Sequence, residues 1–171
     1  MMSIVLRRAV ILLIAATGLS AAAPSDDYPH RRPGLWEVTR TGVDATNPAR
    51  TTQICIDQET EATLRQIGDS LAQSACSTTD THSSQGELTA DATCQLGGSR
   101  TTNHTVVNFI GDTAYHQMST TLVDPPLFGR SKIISETEGK WIGPCAAGMR
   151  PGDMVNAMGK INLVDRVAQQ K

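Results

Sequence analysis

The sequence predicts a mainly β domain of the α+β class: an antiparallel meander sheet or partly open barrel with one helix and two disulfides. Three observations lead to this fold. Between residues 76 and 141, Thr-, Val- and Ile-rich runs alternate with short turns that contain glycine or proline, as in a meander. One stretch, after Asp57, has the apolar spacing of an amphipathic helix. The even number of cysteines, four, indicates two disulfides in an exported protein.

The first 22 residues have the order of a secretory signal peptide. A basic pair at 7–8 precedes an apolar run over 9–19 and small residues at 20–23. The apolar run is too short to span a bilayer of about 30 Å as a helix. Cleavage after Ala22 leaves small side chains before the cut, whereas the next bond is followed by Pro24, whose fixed φ fits an extended substrate poorly. We therefore expect export, to the periplasm or beyond.

The segment after the signal divides into a leader and one domain. Residues 23–33 are rich in proline and charge, which predicts a flexible leader. Residues 34–171 are of a length that predicts a single β-rich domain. The domain begins with a strand over 34–40, where alternation places Trp36 and Val38 on one face.

A second strand, over 51–56, leads into the helix. Asp57 is suited to cap the helix start, and Glu59 and Glu61 suit the positive end of its dipole. The apolar stripe consists of Leu64, Ile67 and Leu71, and the helix is expected to end at Gly68 or a few residues later. The three acidic residues also resemble a calcium loop, but they lack its glycine and its distal glutamate, so the helix start is the better explanation.

After a polar, Thr-rich segment at 76–82, four strands are predicted over 87–95, 99–110, 113–123 and 131–141. Gly111 and Asp112 form the turn of the central hairpin. The strand over 99–110 has apolar residues on both faces, so it is either covered on both sides or lines a cavity. The tail over 143–171 is expected to be mostly loop, with a short helix near 163–168.

The charge of the mature chain limits its partners. Without the two arginines of the signal, it has 13 basic and 17 acidic residues, a net charge of −4. Mild acidity argues against nucleic acid as a partner. After the signal, the sequence has no second apolar segment or polybasic run that would indicate a membrane site.

Cys55, Cys76, Cys94 and Cys145 allow three disulfide connectivities, and the sequence does not choose between them. Because Cys55 and Cys76 flank the helix, we expect them to pair, which leaves Cys94 with Cys145. In the entropic model each bridge stabilises by roughly 3–4 kcal/mol. Zinc ligation is disfavoured, since no Cys-x-x-Cys pair is present.

The sequence has no recognisable catalytic constellation. It lacks a Gly-x-Ser-x-Gly elbow, a P-loop and a Gly-x-Gly-x-x-Gly motif, and all its cysteines are expected to be in bridges. We therefore expect neither enzymatic activity nor a bound cofactor.

His104, His116 and Met118 are the candidate metal ligands, because copper takes these donors. A two-residue turn places the histidines on opposite faces. A three-residue loop places them on one face, but about 13 Å apart along the strand. A metal site therefore needs further ligands from His82 or the tail methionines, which are Met149, Met154 and Met158.

The two tryptophans, Trp36 and Trp141, are interpreted as structural aromatics. In a chain with only two Trp, two Tyr and two Phe, they are the largest side chains available to a core. We expect both in one cluster that pairs the first and last strands. The alternative is an aromatic-lined pocket.

Five motifs resemble those of the domain of unknown function 3617 family, a group of exported bacterial proteins. They are 32–38 (Arg-Pro-Gly-Leu-Trp-Glu-Val), 53–57 (Gln-Ile-Cys-Ile-Asp), 93–99 (Thr-Cys-Gln-Leu-Gly-Gly-Ser), 140–145 (Lys-Trp-Ile-Gly-Pro-Cys) and 151–153 (Pro-Gly-Asp). The resemblance implies a periplasmic or secreted location and a small cysteine-containing domain. It brings no activity and no catalytic residues.

The function expected from the sequence is that of a non-catalytic binding or envelope-associated module. Its expected partner is a small apolar ligand, held by the two-faced sheet, or an envelope protein. The alternative is a metal-binding or stress-related periplasmic protein that uses His and Met.

The predicted cleavage site is directly testable. N-terminal sequencing of the exported protein should read Ala23 first, because proline after the cut is disfavoured. A sequence that starts at Pro24 would contradict the prediction.

Overall fold

The computed structural model describes residues 28–42 and 49–169. The predicted signal peptide and the first part of the leader lie outside the described residues. The described strands are β1 (Gly34–Gly42), β2 (Arg50–Ile56), β3 (Cys76–Ser84), β4 (Glu87–Leu96), β5 (Ser99–Ile110), β6 (Ala114–Leu127), β7 (Arg130–Gly143), β8 (Asp153–Asn156) and β9 (Gly159–Asn162). The described helices are α1 (Gln58–Ala75) and α2 (Leu163–Ala168).

All nine described strands belong to one open antiparallel sheet, in the order β3-β4-β5-β6-β7-β1-β2-β8-β9. The predicted fold class, an antiparallel sheet with helix and disulfides, is confirmed. Strands β4 to β7 form the predicted meander, and the polar, Thr-rich segment before them adds β3 as a further strand. One pairing joins strands that are far apart in sequence: β1 lies between β7 and β2, so the first strand of the domain pairs with the end of the meander.

The turn at Gly111 takes the longer of the two predicted forms. Ile110 pairs with Ala114, so three residues lie in the loop. Gly111 has a φ of +59°, a left-handed conformation in which glycine is unstrained.

Helix α1 begins as predicted, with the Asp57 carboxylate accepting the backbone N–H of Thr60 at 2.8 Å. That hydrogen bond lowers the pKa of Asp57. The helix continues past Gly68 to Ala75. Leu64 packs against the core, but Leu71 is 64 % exposed, so the predicted stripe does not extend to the last turns.

The length of α1 follows from the strand order. The chain leaves β2 and must reach β3, which lies six strand spacings away, about 29 Å in a flat sheet. A helix of 18 residues is about 27 Å long. The helix therefore crosses the sheet, on the face that carries Trp36, and brings the chain to the start of the meander.

The tail differs from the prediction. Residues 153–162 form the hairpin of β8 and β9, which extends the sheet beyond β2, where a loop was expected. Each strand has only four residues, too few to show a period in sequence. The short final helix, α2, lies where it was predicted.

The two predicted disulfides are confirmed, but their predicted pairing is wrong. The bridges are Cys55–Cys145 and Cys76–Cys94. Although Cys55 and Cys76 flank the helix, that helix carries Cys76 across the sheet to the opposite edge. There Cys76 lies directly opposite Cys94 on the neighbouring strand. Cys55–Cys145 ties β2 to the end of β7 across β1.

The core is centred on Trp36, Ile54 and Ile56, which are buried. Trp36 is fully buried, and Trp141, its cross-strand partner on β7, is half-buried and packs against the cluster. The other partly buried side chains on the cluster are Val38, Leu64, Tyr115 and Leu163. The sheet and both helices therefore meet at Trp36. Neither described helix is both long and apolar enough to cross a membrane.

Substitutions of Gly139 and Gly68 form a matched pair that tests the packing of the Tyr115 ring. A Cβ on Gly139 would overlap the ring of Tyr115, its cross-strand partner, whereas a Cβ on Gly68 of α1 would meet no atom within 4 Å. Gly139→Ala should lower the free energy of unfolding by about 1–3 kcal/mol. Gly68→Ala should raise it by about 0.5–1 kcal/mol, because alanine is the better helix former. Urea unfolding measures both, and equal midpoints for Gly139→Ala and wild type would contradict the packing.

Candidate ligand-binding groove

A groove of about 870 Å³ lies on the sheet face that carries Trp36, between β1, β2 and the turn after β8. Its volume is within the range of small-molecule sites, roughly 300–1,000 Å³. The apolar lining consists of Val38, Ala49, Ile54, Tyr115, Met154, Ala157 and Met158, and the basic lining consists of Arg31, Arg40 and Arg50. No carboxylate is among the described residues that line it.

The inner wall of the groove is formed by Arg31 and Tyr115, which belong to an aromatic and ionic cluster. The rings of Trp36 and Tyr115 stack at 5.9 Å. The Arg31 guanidinium lies 5.6 Å from the Trp36 ring centroid and 5.9 Å from that of Tyr115, within cation–π range. Arg31 also donates from Nε to Glu61 on α1 at 2.7 Å. The positive charge of Arg31 is therefore compensated, and the wall is held from both the sheet and the helix.

Tyr115 supplies a neutral hydroxyl to this wall. Burial raises the pKa of Tyr115 above its ordinary value of 10.0, against the opposing effect of nearby Arg31. The phenol therefore stays protonated at neutral pH. A Cβ at position 139 would overlap its ring, so Gly139 leaves room for the ring on the neighbouring strand.

The segment before β1 is held against the domain by both tryptophans. The Trp36 indole donates to the carbonyl of Arg32 at 2.8 Å, and the Trp141 indole donates to that of Pro33 at 3.0 Å. Arg32 lies over the Trp141 ring and forms two hydrogen bonds of 3.1 Å to Asp112. Residues 28–33 thus place Arg31 in the groove. The flexibility predicted for 23–33 stays a prediction.

The outer end of the groove is basic. Arg40 of β1 and Arg50 of β2 are direct cross-strand partners and are exposed. Arg40 donates to the Ser135 hydroxyl at 3.3 Å. Within the described ranges, neither guanidinium has a carboxylate partner.

A second, smaller cavity of about 530 Å³ surrounds Asp153. The Asp153 carboxylate accepts the backbone N–H of Arg150 at 3.0 Å and the Asn162 amide at 2.9 Å. These hydrogen bonds, with Lys160 at 3.4 Å, lower the pKa of Asp153 to about 2. Because its partners are all within the tail, Asp153 has a structural role: it closes the hairpin of β8 and β9.

The predicted metal ligands are not brought together in the described residues. His104 is hydrogen-bonded to Asp91 at 2.8 Å, and His116 to Glu136 at 2.6 Å. By strand alternation these histidines and Met118 lie on the face opposite the groove. His82, on β3, pairs with Asp80 at 3.1 Å. Met149 lines the smaller cavity, whereas Met154 and Met158 line the groove. In this part of the chain no group of three or more His, Cys, Asp or Glu is placed to hold a metal ion.

The groove residues were missed at the sequence level, although β1 carries a signal for them. Alternation places Arg40 in phase with Trp36 and Val38, so a charged side chain follows two apolar ones on the inner face. The equivalent position of Arg50 depends on pairing between β1 and β2, which no pattern within one strand reveals.

Comparison with known proteins identifies a family. The family model described as "Protein of unknown function (DUF3617)" matches residues 31–145, about two thirds of the chain. The matched region contains Arg31, Arg40 and Arg50, and all four cysteines. No curated protein and no solved structure matches the chain.

The depressed pKa of Asp153 predicts a pH dependence. The folded-state pKa, about 2, lies below the ordinary value of 3.8 for an aspartate, so the contribution of this carboxylate to stability is present above about pH 4 and is lost as the pH falls toward 2. Asp153→Asn should remove that part of the acid dependence. Urea unfolding at several pH values measures it. Parallel profiles for Asp153→Asn and wild type over this window would contradict the assignment.

Proposed function

Because the chain belongs to the DUF3617 family, whose description assigns no function, we propose one from the geometry: the protein is a non-catalytic binding module that holds an apolar ligand in the groove. The observation that carries this proposal is the apolar floor of the groove, formed by Val38, Ile54 and Met154 next to the Trp36 core. Burying such a surface under a ligand is favourable by roughly 25 cal/mol per Å².

The contacts around the groove favour a binding site that is formed before the ligand binds. Cys55, on β2 between Ile54 and Ile56, is bonded to Cys145 beyond β7. This bridge joins the two strands that flank β1, so the strands under the groove are covalently connected. The inner wall is fixed by the contacts of Arg31 with Trp36, Tyr115 and Glu61. A site that is already ordered loses little conformational entropy when its ligand binds.

The side chains of the groove support a binding role over a catalytic one. Its described titratable groups are three arginines and Tyr115, whose raised pKa keeps the phenol protonated. General base catalysis needs a group that accepts a proton near neutral pH, and nucleophilic catalysis needs an activated nucleophile. The described lining offers neither.

The disulfides support an exported location. All four cysteines are bonded, which is typical of proteins in oxidising compartments such as the periplasm. The signal-like segment at 1–22 supports the same proposal. We infer that the module works in the cell envelope, where it meets apolar ligands outside the cytoplasm.

Thr52→Trp and Gln53→Trp form a matched pair for testing this site. Thr52 lines the groove, and Gln53, its neighbour on β2, faces the opposite side of the sheet. The probe is N-phenyl-naphthylamine, an uncharged apolar dye that fluoresces in apolar surroundings. Thr52→Trp should weaken its binding by about tenfold or more, because the indole fills the groove, whereas Gln53→Trp should bind as wild type does.

Urea unfolding of both variants serves as the control for folding. Absence of dye binding to wild type, or equal affinity in a folded Thr52→Trp variant, would overturn the proposed site.

A further inference from the structure

Arg40 and Arg50 form a pair of like charges. They lie directly opposite each other on adjacent antiparallel strands, an arrangement in which like charges are destabilising. In the described residues neither has a carboxylate partner, whereas Arg31 in the same groove is paired with Glu61. Within residues 28–42 and 49–169, two guanidinium groups therefore lie on neighbouring strands without a carboxylate partner, and guanidinium groups can bind an anion.

Along β1 and β2 the inward-facing residues change from apolar to charged, and Arg40 and Arg50 lie at the charged end. On β1 the inward-facing residues are Trp36, Val38 and Arg40 in succession. On β2 their direct partners are Ile54, Thr52 and Arg50. Each step is about 7 Å along the strand. Exposure follows the same order: Trp36 and Ile54 are buried, Val38 and Thr52 are half-buried, and the arginines are exposed.

We propose that the ligand of this groove is an amphipathic anion, whose hydrocarbon part lies on the apolar floor and whose carboxylate or phosphate head group is bound by Arg40 and Arg50. This assignment rests on the proposed function and specifies the substrate class of the same site. Guanidinium groups bind carboxylate and phosphate in bidentate geometry. Ser135 orients Arg40 through its 3.3 Å hydrogen bond, and Thr137, opposite Arg40 on β7, adds a hydroxyl to the same end.

The exposure of the two arginines indicates that the anion alone is not the ligand. Exposed ion pairs contribute at most about fivefold in affinity each. A free inorganic anion would therefore bind weakly, and a hydrocarbon chain on the floor must supply most of the affinity. The head group then selects between ligands with the same chain: it favours anionic over neutral ones and repels cationic ones.

The experiment compares ligands that share one decyl chain. Decanoate, decyl phosphate, decanol and decyltrimethylammonium are titrated calorimetrically below their micellar concentrations, and inorganic phosphate is titrated alone. In wild type, at least one of the two anions should bind about tenfold more tightly than decanol, and the cation should bind more weakly than decanol. Inorganic phosphate should show no binding in the same concentration range.

The test variant is Arg40→Gln with Arg50→Gln. The control is Arg100→Gln with Lys132→Gln, which removes the same charge from two exposed residues on the opposite face. The groove variant should lose the preference for the anion and keep its affinity for decanol. The control should keep both, and raising the salt concentration should reduce the preference in wild type.

The outcomes separate this inference from the function on which it rests. Equal affinity of decanol and both anions in wild type, or an anion preference that survives in the groove variant, would overturn the inference and leave the apolar site standing. Binding of inorganic phosphate as tight as that of decyl phosphate would also overturn it, in favour of a simple anion site. If none of the decyl compounds binds, both proposals fail.

Discussion

Trp36 is fully buried where β1 lies between β2 and β7, and the main parts of the domain are arranged around its indole. Ile54 and Ile56 pack on it from β2, Tyr115 stacks on it from β6, and both helices contribute a leucine to the same cluster. Its N–H holds the carbonyl of Arg32, so the segment before β1 is positioned by the same side chain. One indole thus joins the sheet, the helices and the chain leading into the domain, and the inner wall of the groove is one side of that cluster.

Helix α1 covers only part of the sheet, which explains why the residues on this face become more polar away from Trp36. One long helix cannot cover nine strands, so the uncovered part must be compatible with water. In the middle of β5 and β6 the inward positions are polar, and Asn103 donates to the hydroxyls of Ser119 and Thr121 at 2.9 and 2.8 Å. The groove lies at another boundary of the covered region, where the apolar core reaches the surface beside the exposed arginines. Its gradient from apolar to basic follows from this position at the edge of the core.

The motifs that relate the chain to its family contain residues of this scaffold rather than the arginines of the proposed ligand site. Gly34 lies against the Gly143 carbonyl and the Trp141 indole, where a Cβ would overlap both. Gly152 has a φ of +89°, and its N–H donates to the Cys55 carbonyl at 2.8 Å, which attaches the tail hairpin to β2. Arg40 and Arg50 lie outside all five motifs. Membership in the family therefore accounts for the fold, while the proposed ligand class depends on side chains that the motifs do not include.

The sequence by itself determined the features that depend on neighbouring residues. Strand β5 and helix α2 have the predicted bounds, and Asp57 caps α1, because side-chain alternation, helical spacing and capping act over a few residues. Tertiary structure alone decided which cysteines pair, that the tail forms a hairpin, and that Arg40 faces Arg50. The Cys55–Cys145 bridge joins segments 90 residues apart in the chain, and the other features depend on strand pairing and register. Strand order in turn depends on α1 crossing from β2 to β3, which local propensity does not specify.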